Sequence, residues 1–328
     1  MQKELEPWEP NIVPQDMQDA LAKFNAEAKR ILDSSLGYLA SVEPPTTIYH
    51  YTNDAGLRGI LESGQLWLTD VFDLNDPSEL NHGFSQAIKV LNSKASVGPP
   101  ESRIFAERFE AFAKAGYIQK IAHFFVCSFS AHKDDLGQWR AYADNGRGYA
   151  MAFDAKTLEQ PFVAESIVPK FSNGTFPVLY DDKQLTQIYD QLINEAFPLI
   201  SLPRGRNLQG PVINSYMSQL DFWLTYHALQ AMLYFKHEAY KSEEEYRFLQ
   251  IHRADEAPAV KFRQRPYSLV RYREFDWKSK ASATLRQIVV GPSADRQKAP
   301  QFAGACVREF HGGDIEVIQS EIPYRSVP

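Results

Sequence analysis

Apolar residues recur every three or four positions in several stretches of the chain, and this spacing predicts amphipathic helices. The clearest stretch runs from Pro14 to Leu32. A second, from Val212 to Phe235, is apolar almost all round, which predicts a helix that passes through the core. The same criterion predicts further helices over residues 79–91, 101–115, 136–143 and 182–195.

Short apolar or alternating runs between these stretches predict β-strands. The first covers Ile48 to Tyr51, and after it Asn53 and Gly64 bracket a short helix as its N-cap and its terminating residue. The runs at 122–130 and 149–153 are candidates to be neighbours in the sheet. The predicted strands lie at residues 48–51, 65–69, 122–130, 149–153, 162–168, 178–180, 245–251, 267–272 and 287–290.

Helices and strands are interspersed along the chain, without the regular alternation of a doubly wound sheet, so the predicted fold class is α+β. We expect residues 1–46 to form an N-terminal helical extension and residues 47–328 to form a single α+β domain. A helical insert is expected at about residues 181–240. The polar stretch 201–210 within it is the best candidate for a boundary.

The composition indicates a well-packed chain with a modest negative charge. Of 328 residues, 44% are hydrophobic, which excludes extensive disorder because enough apolar surface is available for burial. The 41 Asp and Glu outnumber the 35 Lys and Arg, and the net charge of -6 argues against a dedicated nucleic-acid binder. An enzyme that acts on nucleic acid through a local basic patch is still compatible with it. The 21 Phe, 16 Tyr and 5 Trp supply both a core and a stacking pocket.

Cysteine usage and the N-terminal residues suggest a cytoplasmic protein. Cys127 and Cys306 lie far apart and match no metal-ligand spacing, so we interpret them as core residues of a reducing compartment, with a disulfide left open. Residues 1–15 lack the basic start and apolar core of a signal peptide. No apolar run approaches the ~20 residues of a membrane span, so no membrane association is expected. The oligomeric state is left open.

Polar and aromatic clusters at the edges of predicted strands are the candidates for chemistry, because the common nucleotide, zinc and hydrolase motifs are absent. His50, Tyr51 and Thr52 close the first strand, where a histidine could meet a flat ligand or merely hydrogen-bond within the sheet. Ser128 and Ser130 lie two apart and share one strand face. They could bind a ligand or brace a carboxylate. The alternative is that they are ordinary polar residues at the edge of a β-strand.

Two further clusters combine aromatic and acidic side chains. Trp139 and Tyr142 lie three apart on a predicted helix and could form one wall of a pocket, although Trp139 could equally be a core residue. Glu243 and Glu245 open a predicted strand on the same side of the chain. Such carboxylates can grip a sugar hydroxyl and stabilise positive charge at the anomeric carbon, and Glu245 is the better placed to face inward. The alternative is a solvated acidic loop.

Taken in order, these clusters resemble a bacterial domain of unknown function, family 2971. The resemblance runs from Ile48 to Gly291 and implies no established activity. The motifs that carry it are H-Y-T, G-x-x-x-I-L-x-x-G-x-L-W-L-T-D, L-N-D-P-S-E, S-F-S, W-R-x-Y and E-x-E-Y-R.

A more distant resemblance is to ADP-ribosyltransferase-like folds, which include DNA-targeting toxins and RNA 2′-phosphotransferases. It implies a split β-sheet core with helical insertions and an N-terminal helix, NAD as the substrate, and no metal. In those folds a first-strand histidine or arginine contacts the NAD ribose, an S-x-S strand braces the site, and a glutamate that begins a late strand is catalytic. Carried onto this chain, the catalytic residues are Glu245 and Glu243. The residues that would bind NAD are His50, Tyr51, Thr52, Ser128, Ser130, Trp139 and Tyr142.

The leading hypothesis is therefore NAD-dependent ADP-ribosyl transfer by a toxin or defence effector, with a protein or nucleic-acid acceptor. A phosphotransferase or glycohydrolase would use the same pocket, and a binding module would keep the fold without the chemistry. One or more of Trp67, Trp139 and Tyr142 would replace the tyrosine pair that holds nicotinamide in one subgroup of these folds. We expect Glu245→Gln to nearly abolish turnover while leaving the fold intact, and His50→Ala to weaken NAD binding.

Overall fold

The computed structural model of the protein describes residues 12–74, 78–114, 118, 122–164, 173–253 and 260–325. Within these ranges the chain forms ten α-helices and a ten-stranded, mostly antiparallel open sheet, which confirms the α+β class. The described helices are all too short or too polar to cross a bilayer. The predicted strand residues 165–168 lie outside the described ranges.

The helices and strands follow in chain order, interrupted by short 3-10 turns. The helices are α1 (Gln15–Leu36), α2 (Asp54–Ser63), α3 (Ser78–Val97), α4 (Pro100–Lys114), α5 (Leu136–Tyr142), α6 (Ala155–Ala164), α7 (Asp182–Ile200), α8 (Gly210–Met232), α9 (Trp277–Ala281) and α10 (Lys298–Cys306). The strands are β1 (Thr47–Thr52), β2 (Gln65–Asp70), β3 (Ala122–Ser130), β4 (Tyr149–Asp154), β5 (Asn173–Pro177), β6 (Glu245–Arg253), β7 (Lys261–Arg265), β8 (Ser268–Asp276), β9 (Leu285–Val290) and β10 (Glu316–Gln319).

Local sequence signals account for several of these boundaries. The side chain of Asn53 accepts a hydrogen bond from the Gly56 backbone N–H at 2.9 Å and so caps α2. Gly64 ends the same helix with a φ of 69°, a left-handed conformation that glycine adopts without steric cost. Along α1, the buried residues follow the helical spacing from which the helix was predicted: Met17, Leu21, Phe24, Ala28, Ile31 and Leu36.

Three strands pair with β3, and two of them separate from each other on the same side of it. Strand β6 pairs antiparallel with β3 along its whole length and therefore occupies one edge. The opposite edge is shared by β2, which pairs Thr69 with Val126, and by β1, which pairs Tyr49 with Ser130. Strands β1 and β2 thus diverge from a common edge. The former leads through β4 and β9 to β10, the latter through β8 to β7.

Three predictions about strands were wrong. Strand β1 lies between β3 and β4, so these two are not neighbours, because each pairs with a separate edge of β1. Phe162 belongs to helix α6, where it packs into the core, rather than to a strand. The strand expected at 178–180 is represented by β5, which ends at Pro177, and by an isolated bridge from Leu179 to Phe235.

Each face of the sheet carries its own hydrophobic core. Helices α1, α3, α4, α7 and α8 contribute to one core, and α2, α6, α9 and α10 contribute to the other. Strand β3 serves both by alternation, since Phe124 and Val126 belong to the first core while Phe125 and Cys127 belong to the second. Because α1 packs against α7 and α8, it forms part of the first helical layer. The boundary at residue 46 and the insert at 181–240 stay predictions.

Candidate functional site

A cleft of about 610 Å³ opens where β1 and β2 diverge from β3. Its volume falls in the range of small-molecule and cofactor sites, roughly 300–1,000 Å³. All of the predicted site residues except Trp139 line it, although they come from separate parts of the chain. They are His50, Tyr51, Thr52, Ser128, Ser130, Tyr142, Glu243 and Glu245.

Glu245 is the first residue of β6, and its carboxylate lies at the centre of a buried polar network. One carboxylate oxygen, Oε1, accepts hydrogen bonds from Ser128 Oγ at 2.6 Å and from Arg247 Nε at 2.8 Å. The other oxygen, Oε2, accepts one from Lys236 Nζ at 3.3 Å. The three ionic side chains are all buried in the described structure. Strand pairing explains the placement, because Ser128 lies opposite Arg247, one period of two beyond Glu245.

The network keeps Glu245 ionised. Burial alone would raise the pKa of the carboxyl group, but the charges of Arg247 and Lys236 and the hydrogen bond from Ser128 outweigh it and lower the pKa to about 2. Within the described residues, Oε2 accepts only the long hydrogen bond from Lys236. A carboxylate oxygen can accept more than one hydrogen bond. Oε2 is therefore the oxygen that retains capacity for a ligand hydroxyl.

The lowered pKa of Glu245 makes the stability of the fold depend on pH. With an ordinary value of 4.5 and a folded-state value of about 2, the carboxylate contributes stability above pH 4.5 that is lost as the pH falls towards 2. We expect the difference in the free energy of unfolding between the wild type and Glu245→Gln to shrink over this window. Urea unfolding at several pH values measures it, and a difference that is constant from about pH 6 to pH 2 would contradict the ionised, paired carboxylate.

Glu243 faces the same cleft from the turn that precedes β6. Its Oε2 accepts a hydrogen bond from Lys236 Nζ at 2.6 Å, and its Oε1 accepts one from the Tyr142 hydroxyl at 3.3 Å. Ser130 fixes the turn by donating from Oγ to the Glu243 carbonyl at 2.7 Å. Between the two acids, Glu244 has a φ of 39° and carries its side chain to the surface. The two carboxylates thus share Lys236, while Ser128 and Ser130 each brace one part of the acidic segment.

His50 lies at the point where β1 parts from β3. Its Nδ1 lies 3.2 Å from the Ser128 carbonyl. Because a carbonyl only accepts, Nδ1 carries the hydrogen and donates it. Burial and the nearby Arg263 lower the pKa of the ring, although the Ser128 carbonyl opposes them. The ring is therefore neutral near pH 7, and its second nitrogen, Nε2, is a hydrogen-bond acceptor.

The neighbours of His50 on β1 have structural partners as well as places in the cleft lining. The Tyr51 hydroxyl donates to the His132 carbonyl at 2.9 Å and accepts from the Asp135 N–H at 3.2 Å. Thr52 lies at the junction of β1 and α2, where a Cβ on residue 56 would come within 1.9 Å of the Thr52 hydroxyl. Gly56 therefore permits α2 to begin directly against the strand that carries His50.

The prediction that Trp139 contacts the ligand is corrected by its position. The side chain is 0% exposed and does not line the cleft. It packs edge-to-face against Tyr51 with ring centroids 4.8 Å apart, and its indole N–H donates to Asp134 at 2.6 Å. Tyr142, three residues on, is 42% exposed and faces the cleft. On helix α5, Trp139 therefore packs in the core, whereas Tyr142 lines the cleft.

Four cationic residues of the cleft were not predicted from the sequence. Arg247 and Lys236 hold the acidic pair, and Arg263 and Arg265 lie on β7. Two of these placements had a signal in the sequence: Arg247 lies two residues from Glu245, and Arg265 lies two residues from Arg263, so each pair shares one face of a strand. Lys236 had none, because it follows α8 in an irregular segment and reaches the carboxylates only through the tertiary fold. Among the described residues, no cluster of His, Cys, Asp or Glu could hold a metal ion.

The two cysteines are separate from this chemistry. Cys127 and Cys306 are both buried free thiols. Burial, with the negative charge of Glu245, raises the pKa of Cys127 to about 12. A thiol with so high a pKa stays protonated at neutral pH and is a poor nucleophile. The interpretation of both residues as core residues agrees with this environment.

Comparison with known proteins finds a family match for part of the chain. The model of a family described as a protein of unknown function (DUF2971) matches residues 138–248. This confirms the predicted resemblance to domain of unknown function family 2971 within residues 138–248, whereas the predicted span ran from Ile48 to Gly291. The matched segment contains Tyr142, Lys236, both acids and Arg247, whereas His50 and Ser128 lie outside it. Searches of curated proteins and of solved structures found no match.

Proposed function

We propose that the cleft binds NAD and transfers its ADP-ribosyl group to an acceptor, with Glu245 gripping the ribose. The observation that carries the proposal is the convergence of His50, Ser128 and Glu245 in one cleft. We further infer that the fold is of the ADP-ribosyltransferase-like kind. The divergence of β1 and β2 from one edge of β3 supports this inference, since it provides the split in the sheet that the resemblance implies.

The hydrogen-bonding capacity of the cleft supports a sugar as the group that is bound there. Ser128 links two acceptors, because its carbonyl accepts from His50 Nδ1 and its hydroxyl donates to Glu245. The neutral His50 ring offers Nε2, and the ionised carboxylate offers Oε2. A ribose diol presents two hydroxyl donors, which match these two acceptors. Trp67 and Tyr142 are partly exposed aromatic walls of the same cleft and suit a flat base.

In the proposed reaction, the bond between C1′ of the ribose and nicotinamide breaks, and its electron pair leaves with nicotinamide. Positive charge develops on the sugar, and the carboxylate of Glu245 stabilises it through the 2′-hydroxyl, much as carboxylates do in glycoside hydrolysis. The acceptor nucleophile then bonds to C1′, and Glu243 accepts the proton that the nucleophile loses. Removing one preorganised electrostatic group of this kind typically reduces the rate ~10²–10³-fold.

The direct test is to incubate the full chain with NAD and measure free nicotinamide, with and without cell extract. Release that requires extract supports transfer to a macromolecule, and release without extract supports hydrolysis or self-modification. Absence of release under both conditions contradicts the proposed chemistry. Radiolabel from the adenylate portion of NAD, recovered in protein or in nucleic acid after fractionation, identifies the class of acceptor.

A variant of His50 tests how the ribose is held. We expect His50→Ala to raise the dissociation constant for NAD roughly tenfold, because one hydrogen bond to the sugar contributes about 0.5–1.5 kcal/mol and the ring also fills the gap beside Ser128. Isothermal titration calorimetry measures the constant. His311→Ala is the matched control, since His311 stacks on Trp277 outside the cleft. Equal constants for the two variants would count against a contact between His50 and NAD.

One observation favours a second function, nucleotide binding without turnover. Two buried cations, Arg247 and Lys236, already compensate the charge of Glu245, so less of it is available to a developing positive charge. A binding module of this kind would bind NAD in calorimetry, with the same dependence on His50, and would release no nicotinamide. The pair of measurements therefore separates an enzyme from a nucleotide sensor.

A further inference from the structure

Strand β7 presents two arginines to the cleft at the end away from the acidic pair. Arg263 and Arg265 are separated by one residue, so both side chains lie on the same face of the strand. Both line the cleft. In the sheet, the strand order from β3 is β2, β8 and β7. This end of the cleft is therefore formed by the part of the sheet that contains β2 and diverges from β1.

Arg263 is held in position by uncharged groups. Its Nη2 donates to the Thr69 hydroxyl at 3.2 Å, and its guanidinium lies over the Trp67 ring, 5.5 Å from the centroid. Its Nε is buried and has no hydrogen-bond partner among the described residues. None of the described carboxylates forms an ion pair with this side chain. A buried donor without a partner is costly, which makes its satisfaction by a ligand favourable.

The charge of Arg265 is only partly compensated, because burial lowers its pKa and the nearby Asp73 does not fully oppose this. Its Nη1 donates to the backbone carbonyl of Asp73 at 2.7 Å. The Asp73 carboxylate is already bound by Arg271, through Nε at 2.8 Å and Nη2 at 3.1 Å. Burial and the like charge of the neighbouring Arg265 lower the pKa of Arg263.

The two ends of the cleft are connected through His50. The His50 ring is hydrogen-bonded to the carbonyl of Ser128, whose hydroxyl binds Glu245. The ring is also close enough to Arg263 for that charge to lower the pKa of His50. A ligand that lies along the cleft therefore meets acceptors at one end and strong donors at the other. This polarity matches a nucleotide, in which a ribose with hydroxyl donors is joined to phosphate groups with acceptor oxygens.

We propose that Arg263 and Arg265 bind the diphosphate of a dinucleotide whose ribose lies between His50 and Glu245. The position of the ribose rests on the proposed function, whereas the phosphate site rests on the arginines themselves. Guanidinium groups form paired hydrogen bonds with phosphate oxygens. Side chains two residues apart on a strand are separated by about 6.5–7 Å, so each arginine can contact a different phosphoryl group of a diphosphate.

Calorimetry on the full chain with inorganic pyrophosphate tests the phosphate site without turnover. We expect Arg263→Gln and Arg265→Gln each to raise the dissociation constant tenfold or more, because each removes charge-assisted hydrogen bonds. Arg263→Lys keeps the charge but loses the planar fork, so it should fall between the wild type and Arg263→Gln. Arg296→Gln is the control, since Arg296 is exposed and outside the cleft. Equal affinities in all four variants would overturn the proposal.

Two further titrations identify the source of the phosphate. If NAD loses affinity in the same arginine variants, the diphosphate assignment is supported. If only a short single-stranded oligonucleotide loses affinity while NAD binds as before, the arginines serve a nucleic acid and the assignment fails.

The outcomes also separate this proposal from the proposed function. Arginine-dependent binding of pyrophosphate and NAD without any release of nicotinamide would leave the phosphate site standing and remove the chemistry. If Arg263→Gln released nicotinamide with the KM of the wild type, the chemistry would stand and the phosphate site would be excluded. Melting curves for each variant, matched to the Arg296→Gln control, establish that the changes reflect the site rather than the fold.

Discussion

Glu245→Gln is expected to reduce nicotinamide release ~10²–10³-fold, because the variant keeps the shape of the side chain but loses the charge that stabilises the oxocarbenium-like transition state. The measurement is single-turnover release of nicotinamide from NAD. Glu244→Gln is the matched control, since the adjacent side chain is exposed and points away from the cleft. Activity of Glu245→Gln within about twofold of that control would exclude a catalytic role for this carboxylate.

The same substitution is expected to destabilise the protein, which corrects the expectation that the fold stays intact. Glu245 is 5% exposed, and it faces two cations that are themselves buried, Arg247 and Lys236. Removing one partner of a buried ion pair costs about 3–5 kcal/mol, because the remaining buried charge loses part of its compensation. Glu243 still binds Lys236 in the variant, so the charge facing Arg247 is the principal loss.

Urea unfolding of Glu245→Gln and Glu244→Gln at the same pH measures this cost. Turnover must then be compared at a temperature where circular dichroism shows both variants to be folded. An unchanged free energy of unfolding would contradict the buried network. Loss of activity in the folded variant, at that temperature, separates the catalytic contribution of the carboxylate from its structural one.

Trp139→Ala is expected to lower the free energy of unfolding by about 3–5 kcal/mol, the usual cost of deleting a large buried aromatic side chain. The side chain is 0% exposed and supports Tyr51 from behind the cleft. Tyr142→Ala, three residues away on the same helix, should cost little, because that side chain is 42% exposed. Urea unfolding of the two variants provides the comparison.

The pair also distinguishes support from ligand contact. Tyr142→Ala should weaken NAD binding while the fold is unchanged, whereas Trp139→Ala should affect binding in proportion to the fraction unfolded. A stable Trp139→Ala protein with a selective loss of NAD affinity would restore the original interpretation of Trp139 as a pocket wall. The result bears directly on which aromatic residues face the nicotinamide ring.

Much of the site could be anticipated from short-range patterns, although its assembly could not. Period two along β3 places Ser128 with Ser130 on one face. The same argument predicted that Glu243 and Glu245 share a side, and both line the cleft, although Glu243 lies in the turn before β6 and Glu244 between them has a φ of 39°. The pattern left open whether the two serines bind a ligand or brace a carboxylate, and the hydrogen bond from Ser128 to Glu245 depends on strands that lie far apart in the chain. Trp139 shows a second limit of local patterns. Helical spacing relates it to Tyr142, but it does not indicate which of the two packs in the core and which lines the cleft.

Strand order and charge compensation were decided by contacts between distant segments. The expectation that β3 and β4 are neighbours failed because β1 inserts between them, and that insertion also creates the divergence of β1 from β2. Neither β7 nor its arginines Arg263 and Arg265 was predicted from the sequence. Their role at the cleft depends on β7 joining the sheet through β8.

The sequence by itself determined the local elements and the faces that their residues share, because helical and strand periodicities are set by neighbours a few positions apart. It therefore predicted α1, the caps of α2, the paired serines of β3 and the two acids near the start of β6, Glu243 and Glu245. Only the tertiary structure decided which faces meet. Burial beside Arg247 and Lys236 sets the pKa of Glu245, and the parting of β1 from β2 opens the cleft. Arg247 and Lys236 lie only two and nine residues from Glu245, but the burial of this network and its hydrogen bond from Ser128, 117 residues away, come from packing between segments that no local pattern describes.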